Sequence, residues 1–449
     1  MSNVTRREFL EATVATAAVA ASAATIDAQQ SRPNILFIMA DDLGYGDLSC
    51  YGRPDYETPV LDRMARDGIR FTSNYAAAPV CTPTRCALAT GRYHQRLPVG
   101  LEEPLRLGSS LDVGLPAEHP TLSSLLRANG YDTALVGKWH LGWKPELGPN
   151  RHGYTDFFGS LSGATDFFTH RSSDMPGGVA AEGGGEDLWE NLTLVERTGY
   201  LTDLLTDKAI EIISRPRTAP LFLSLHYTAP HSPWEGPEDA GVSHTSHGGG
   251  PMIDGGSLRT FASMMRSMDA GIGRVLQALE RQQLERSTLV IFTSDNGGER
   301  YSYHWPFSFQ KFFLYEGGIR VPAIARWPGV IPAGRVTDHA AITMDWSATV
   351  LAAAGTRPDP AYPLDGEDLT PVLSGRRDAY DRTLFWRIRR FDAIRSGPWK
   401  YLKEPQGEHL FNVVEDPGEK SDLRQMMPDR FGALRAQYQQ WAAQMLPLP

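Results

Sequence analysis

The sequence predicts an α/β protein: a doubly wound, mostly parallel sheet flanked by helices, followed by a smaller C-terminal α+β subdomain. Three observations carry this expectation. Continuous apolar, β-rich runs recur along the chain: NILFIMADD, TALVGKWH, PLFLSLHYTAPH and STLVIFTSDNGG. Runs without polar alternation suit strands covered on both faces. Between them lie segments with helical spacing, ETPVLDRMARDG, LSSLLRANG, YLTDLLTDKAIEIISR and SMMRSMDAGIGRVLQALERQQ; strand–helix alternation builds a parallel sheet. After about Tyr380 the pattern changes. TLFWRIRR, FDAIRSGPWKYLKE and EHLFNVVEDPGEK read as short strands joined by turns, and PDRFGALRAQYQQWAAQML then has helical spacing.

Taken in order, the first segment reads as an export signal. Arg6-Arg7 precede Phe9 and Leu10, an Ala-rich run TVATAAVAASAAT follows, and small residues near Ala28 offer a cleavage site. Paired arginines ahead of a weakly apolar stretch resemble a twin-arginine signal. That reading implies the Tat export machinery as a partner and a periplasmic or extracellular mature protein. The run is short, and no later segment reaches the roughly 20 apolar residues of a membrane span, so no stable membrane insertion is expected. The expected organisation is a signal over 1–28, a catalytic α/β domain over 29–380 and a subdomain over 381–449. The segments 171–187 and 235–258 are Gly-rich and aperiodic, and read as long, substrate-facing loops.

Composition sets further bounds. The chain has 449 residues, 41% apolar and 22% charged, enough for a sizeable core. A net charge of −9 argues against a nucleic-acid partner. There are three cysteines, Cys50, Cys81 and Cys86, so an exported protein keeps at least one thiol unpaired. Cys81 and Cys86 flank Pro83 too closely to pair without strain, and pairing of Cys50 with Cys86 stays open. One cysteine is a candidate for chemistry.

Each apolar run stops at chemically capable residues. The first ends in Asp41-Asp42, the second contains Lys138 and ends in His140, the third leads to His231, and the fourth carries Asp295-Asn296. Ligands of open α/β sheets bind at the carboxyl ends of the strands, so these ends are expected to converge. Taken singly, each is unremarkable: Asp-Asp after a strand is ordinarily a turn or a helix cap, and Asp-Asn-Gly a tight turn. His226 and His119 read as structural. His244 and His247 lie near one another but lack the cysteine or acidic partners of a zinc site.

The stretch CTPTRCALATGR, Cys81 to Arg92, resembles the signature of the type I, formylglycine-dependent sulfatases. The resemblance extends over nearly the whole chain after the signal. RPNILFIMADDLGYGDLSCYG, GKWHLG, APHSP, TSDNGG, KFFLYEGGIRVP and GPWKYLKE…HLFNVVEDPGEKSDL resemble further blocks in the family's order. The arylsulfatase A and N-acetylgalactosamine-6-sulfatase branch is the most similar. The resemblance implies an alkaline-phosphatase-like fold and hydrolysis of a sulfate monoester, carbohydrate or aryl, to an alcohol and inorganic sulfate.

It also implies roles. Cys81 is oxidised to formylglycine by a formylglycine-generating enzyme, which reads the Pro and Arg of the motif. Asp41, Asp42, Asp295 and Asn296, with the modified Cys81, hold a divalent cation; hard oxygen ligands suit Ca²⁺, with Mg²⁺ as the alternative. Arg85, Lys138 and Lys311 donate to the sulfate oxygens. One hydroxyl of the aldehyde hydrate attacks sulfur, His231 with Lys311 protonates the leaving alcohol, and His140 is the candidate base for the second hydroxyl. Two departures from the family pattern stand out. Thr84 replaces a common serine but keeps the hydroxyl, and Phe312-Phe313 replace small residues, which brings the placement of Lys311 into question. The same fold hosts phosphate and phosphonate ester hydrolases, and a catalytically lapsed carbohydrate-binding relative is the non-enzymatic alternative; the latter would lack a cysteine, lysine or histidine that is present here. Specificity is expected in the loops, where Trp143, Phe167, Phe168, Trp189 and Trp234 are candidates to stack on substrate.

Overall fold

The computed structural model describes residues 32–106, 108–172, 185–241 and 255–448. The arginine pair, the cleavage region, His244, His247 and most of both Gly-rich loops lie outside these residues.

The first apolar run forms β1 (Asn34–Ala40). Its side chains alternate between two cores. Ile35, Phe37 and Met39 enter one; Leu36, Ile38 and Ala40 enter the other. A strand covered on both faces has no position for a polar residue, which is why the run is unbroken. The chain continues through α1 (Pro59–Arg66), β2 (Ile69–Phe71), α2 (Cys81–Thr90), β3 (Asp132–Gly137), β4 (Asp156–Gly159), β5 (Trp189–Glu190) and β6 (Thr193–Leu194). Then come α3 (Leu201–Ser214), β7 (Leu221–His226), α4 (Leu258–Arg281), β8 (Thr288–Ser294), β9 (Ala323–Arg326), β10 (Arg335–Thr337) and α5 (Thr343–Ala353).

These ten strands make one sheet in the order β10-β2-β9-β8-β1-β7-β3-β4-β5-β6. The centre, β8-β1-β7-β3-β4, is parallel. On one side β9 pairs antiparallel with β8 and with β2, and on the other β5 pairs antiparallel with β4. The short edge strands carry little hydrophobic pattern, so only the centre was readable from apolar runs. Helices α1, α3 and α4 cover one face through Leu61, Leu205, Ile212, Met265 and Ile272. Helices α2 and α5 cover the other through Leu88, Trp346 and Val350.

The C-terminal region is a four-stranded antiparallel sheet in sequential order, β11 (Thr383–Ile388), β12 (Phe391–Ser396), β13 (Trp399–Glu404) and β14 (Gly407–Asn412), with α6 (Pro428–Ala442) packed on it. Trp386, Ile394, Tyr401 and Leu410 of the sheet meet Leu434 and Trp441 of α6 in a third core, which also takes in Tyr75, Leu314 and Met344 of the main domain.

A buried charge network pins the two parts together. Lys400 on β13 lies 3.0 Å from Glu316 and 2.8 Å from Glu419, all three fully buried or nearly so. Glu316 also accepts from the Tyr75 hydroxyl at 2.6 Å and pairs with Arg320 at 3.2 Å. Burial pushes both carboxyls up. At Glu316 the Lys400 and Arg320 cations reverse this and hold it at about 2. At Glu419 burial wins and pushes it up to about 7, with Lys400 opposing and Glu316 adding to the rise. Two carboxylates share one ammonium, so the proton belongs to the pair.

Two outcomes follow from this network. Lys400→Met leaves two buried carboxylates facing each other and should cost about 3–5 kcal/mol in urea unfolding; a cost under about 1 kcal/mol would show that the network is solvated. Glu419→Gln tests the sign of the pH dependence. In the parent the native state keeps a proton that the unfolded chain, near 4.5, has lost. That stabilisation is complete below the unfolded value and is lost as pH rises through about 7. The glutamine cannot lose it, so the variant should gain on the parent between about pH 5 and about pH 8. A pH-independent difference would mean that Glu419 is ionised throughout.

Candidate active site

Four neighbouring strands of the sheet, β8, β1, β7 and β3, end on the same side. The residues that follow them carry most of the polar side chains expected to act. Asp41 and Asp42 follow β1, Asp295 and Asn296 follow β8, Lys138 and His140 follow β3, and His231 lies five residues beyond β7. Strand β1 sits between β7 and β8, so the chain leaves it between two neighbouring strands, where the crevice of a doubly wound sheet forms.

The turns at these ends are special. Asp42 (φ 61°) and His140 (φ 58°) are both left-handed, a conformation that costs a non-glycine residue free energy and persists where surroundings over-determine it. Gly137 precedes Lys138 with φ 115°, and a Cβ there would lie 1.8 Å from the His226 carbonyl oxygen. A Cβ on Gly297 would lie 2.1 Å from the Gly317 oxygen. The glycines of GKWH and TSDNGG are thus required by close backbone approach.

Cys81 is the first residue of α2 and is buried. Pro83 lies in the first turn, where its missing N–H leaves no helical bond unmade. The Thr84 hydroxyl donates to the Ala78 carbonyl at 3.0 Å and accepts from the Ala78 N–H at 3.1 Å, fastening the incoming loop. The Cys81 thiol lies 3.7 Å from Asp41 Oδ1. Burial raises its pKa far above the ordinary thiol range, so the unmodified thiol is a poor nucleophile. Cys50, Cys81 and Cys86 form no disulfide with one another, so Cys50 and Cys86 are not paired.

Three carboxylates meet three cations. Lys138 Nζ lies 2.5 Å from Asp41 Oδ2, Lys311 Nζ lies 2.7 Å from Asp42 Oδ2, and Arg85 Nη2 lies 2.9 Å from Asp295 Oδ2. Burial pushes the Asp41 and Asp42 carboxyls up, but Lys138 and Lys311 respectively bring each below the usual carboxylate range. Asp295 stays raised by burial and by Asp41 despite Arg85. Arg85 Nη1 donates to the Lys138 carbonyl at 2.9 Å, so the α2 arginine fixes the backbone at the end of β3. Phe312 and Phe313 do not displace Lys311: the Phe312 ring packs 5.3 Å from Nζ, and the lysine reaches Asp42.

His231 and His140 face the site differently. His231 Nδ1–H donates to the Ser232 carbonyl at 2.5 Å, leaving Nε2 at 3.3 Å from Lys311 Nζ and 3.4 Å from Asp42 Oδ2. His140 Nε2–H donates to the Leu105 carbonyl at 2.8 Å, so its buried Nδ1, which has no partner among the described residues, carries the lone pair. Burial and the Lys138 charge hold His140 well below the usual imidazole range, hence neutral.

The donor set fits a hard divalent cation. Ligand atoms of Asp41, Asp42, Cys81 and His231 lie within 4.8 Å of one another. Asp295 lies beside them, its Oδ1 accepting from the Asp42 backbone N–H at 3.2 Å. The Asn296 amide donates to Asp42 Oδ1 at 2.7 Å and to the Gly297 carbonyl at 2.9 Å. Its own Oδ1 is buried without a partner among the described residues; an acceptor left so needs a cation or donor.

One expectation about the surroundings needs correction. Trp143, Phe167, Trp189 and Trp234 are buried in the cores and cannot stack on a substrate; Phe168 packs on Tyr200. Large aromatics in a polar loop anchored that loop to the core. His226 keeps the structural role read from the sequence: it ends β7 buried, with Nδ1 3.3 Å from the Lys138 carbonyl oxygen and 3.5 Å from Arg85 Nη1, and burial with Arg85 lowers it to about 3. The rule that singled out the other strand ends also marks this one.

The Sulfatase family matches residues 33–356, and the C-terminal family of N-sulphoglucosamine sulphohydrolase matches residues 303–428. N-acetylgalactosamine-6-sulfatase of Canis lupus familiaris is 35% identical over 379 residues, covering 79% of this chain and 68% of the relative. Arylsulfatase A of Homo sapiens is 34% identical over 416 residues, covering 86% and 77%. Among solved structures, Ps i-CgsB in complex with k-i-k-neocarrahexaose superposes with a TM-score of 0.81 at 30% identity, covering 91% of this chain and 92% of the other.

Proposed function

The chain belongs to the sulfatase family and hydrolyses sulfate esters; from that premise we propose that it acts on a sulfated carbohydrate, with Cys81 converted to formylglycine and a divalent cation at the strand ends. The observation that carries the reading is the cluster of Cys81, Asp41, Asp42 and His231 within 4.8 Å, ringed by Lys138, Lys311 and Arg85. A sugar substrate is supported by the relative that holds k-i-k-neocarrahexaose. Phosphate or phosphonate hydrolysis and loss of catalysis are the less favoured readings, since the matched families are sulfatases and no expected site residue is missing.

Asp41, Asp42, Asp295 and the Asn296 amide oxygen would hold Ca²⁺ or Mg²⁺, which when bound supplies charge to polarise the sulfuryl group and acidify a hydroxyl. After oxidation by a formylglycine-generating enzyme, Cys81 offers an aldehyde hydrate, with one hydroxyl to attack sulfur and a second whose deprotonation releases sulfate. Serine would have only the first. Lys138, Lys311 and Arg85 supply donors fixed before substrate arrives, so stabilising the sulfuryl oxygens needs little reorganisation. His231 Nε2, 3.4 Å from Asp42 Oδ2 and 3.3 Å from Lys311 Nζ, is the atom placed to pass a proton to the leaving oxygen. Neutral His140, its tautomer set by Leu105, presents Nδ1 as the acceptor for the hydrate proton.

The same reading places the mature protein outside the cytoplasm through the Arg6-Arg7 signal. Among the described residues no helix is long and apolar enough to cross a membrane.

Three measurements test these proposals. The tryptic peptide containing Cys81 should weigh about 18 Da less than its thiol form, and Cys81→Ser should lose turnover in a host that cannot modify serine; active enzyme with a stoichiometric thiol would refute the modification. Asp295→Ala should lower metal content and cut aryl sulfate turnover by roughly two orders of magnitude or more. His231→Ala should keep its metal and lose most on substrates with poor leaving groups. If Asp295→Ala kept both metal and activity, the ligand set would be wrong. Changing Arg6 and Arg7 to Lys should strand precursor in the cytoplasm, and normal export of that variant would exclude a twin-arginine route.

A further inference from the structure

A cleft of about 790 Å³ opens beside the reacting residues. Its wall includes Val80, the residue before Cys81, and Phe312, the residue after Lys311. Its far side comes from two places distant in sequence: Glu102, Glu103 and Arg106 on one loop, and Arg389 and Arg390 from the C-terminal subdomain. Arg389 and Arg390 are the two residues between paired Ile388 and Phe391, the tip of the β11–β12 hairpin.

The tip is held against the loop and the loop against the site. The Arg389 backbone N–H donates to both Glu103 carboxylate oxygens, at 3.1 and 3.0 Å. The Leu105 N–H donates to the Thr82 hydroxyl at 3.1 Å, and the Leu105 carbonyl accepts from His140 Nε2 at 2.8 Å. Arg106 is therefore one residue from a double anchor to the catalytic constellation.

The charges on this wall are unevenly used. Glu103 is occupied by the Arg389 backbone, and Glu102 accepts from the Ser109 hydroxyl at 2.9 Å. The side chains of Arg106, Arg389 and Arg390 are exposed, and among the described residues no carboxylate lies within the 4.0 Å of an ion pair from any of their guanidinium groups. Three exposed guanidinium groups line one cleft with Val80 and Phe312, the neighbours of Cys81 and Lys311, and although the Arg389 charge also acts on Glu103, none is in an ion pair among the described residues; together they form a receptor for a second anion.

We propose that Arg106, Arg389 and Arg390 are a second anion subsite, which binds a sulfate or carboxylate on the part of the glycan beyond the ester being cleaved. The inference rests on the sulfatase reading and narrows it: the preferred substrate is a glycan with anionic groups on neighbouring positions. The exposed Phe312 ring, which lines the cleft and packs 5.3 Å from Lys311 Nζ, offers a face for a sugar ring.

The test compares kcat/KM of the fully processed enzyme on 4-nitrophenyl sulfate with that on three oligosaccharides. These are one with a single sulfate, one with an added neighbouring sulfate, and one with a neighbouring uronate carboxylate. The parent should prefer one or both dianionic sugars over the singly sulfated one by about 10-fold or more, and the better of the two identifies the second anion. In Arg389→Ala/Arg390→Ala and in Arg106→Ala the ratio of dianionic to singly sulfated kcat/KM should fall by about 10- to 100-fold. Added salt should erode the parent's preference and not the variants'. No preference in the parent, or a preference that survives both variants, would overturn the subsite. A parent inactive on every sulfate ester would instead overturn the sulfatase reading, so the two failures are distinguishable. Calorimetric binding of a non-sulfated uronate oligosaccharide reads the subsite without turnover and should weaken in the same variants.

Discussion

The site depends on the mutual neutralisation of three buried carboxylates by three buried cations. Asp41, Asp42 and Asp295 are almost entirely shielded from water, and so are Lys138, Lys311 and Arg85. Any one of these charges alone would be costly enough in the interior to shift its pKa and lose its charge. Paired as they are, all six can stay ionised, and the residues that bring them come from five separate segments. The carboxylates cap β1 and β8, Lys138 follows β3, Arg85 lies one turn into α2, and Lys311 comes from the loop before Glu316. The topology must therefore deliver all of them before the site exists. A buried ion cluster of this kind adds little to stability by itself; the more economical reading is that it is kept for chemistry. The Asp42 and His140 backbones point the same way, each in a left-handed conformation that the surrounding contacts enforce.

Much of this was legible in the sequence because the same physics writes both signals. A strand covered on both faces must be apolar throughout, and the sheet must end where the chain emerges at its rim. A polar residue directly after such a run is therefore placed at the carboxyl edge whatever its role. That logic found Asp41, Asp42, Lys138, His140, Asp295 and Asn296 together, and it marks His226, which single-residue reasoning set aside. Cys81, Arg85 and Lys311 do not follow long strands, and only their motif made them visible. The cation that each would meet was not legible: the Lys138–Asp41 and Lys311–Asp42 contacts join positions 97 and 269 residues apart, and no local pattern encodes such distances.

What escaped the sequence was of a different kind. The antiparallel strands at the sheet edges are three or four residues long or shorter, too brief to show a period. The aromatics of the long loops read as substrate platforms because a large ring in a polar, Gly-rich segment looks idle. In the structure Trp143 and Phe167 are buried, and they tie those loops to the two main cores. Fixing a loop of that length costs backbone entropy that scattered polar contacts do not repay, and a buried ring is an efficient anchor.

The two parts of the molecule divide the labour differently from what their sizes suggest. The large domain carries the whole buried charge cluster, most of it at strand ends. The small subdomain supplies no group within the cluster, yet it is bound to the main domain through Lys400 and Glu316, and its β11–β12 tip reaches the cleft beside Cys81. Glu316 closes the segment KFFLYE that also carries Lys311, so the contact that seats the subdomain lies five residues from a cation of the site. A shift of the subdomain would thus move both the cleft wall and the lysine. A buried seat and an exposed hairpin tip are complementary: the first holds the tip at the cleft, and the second leaves its side chains free of packing constraints.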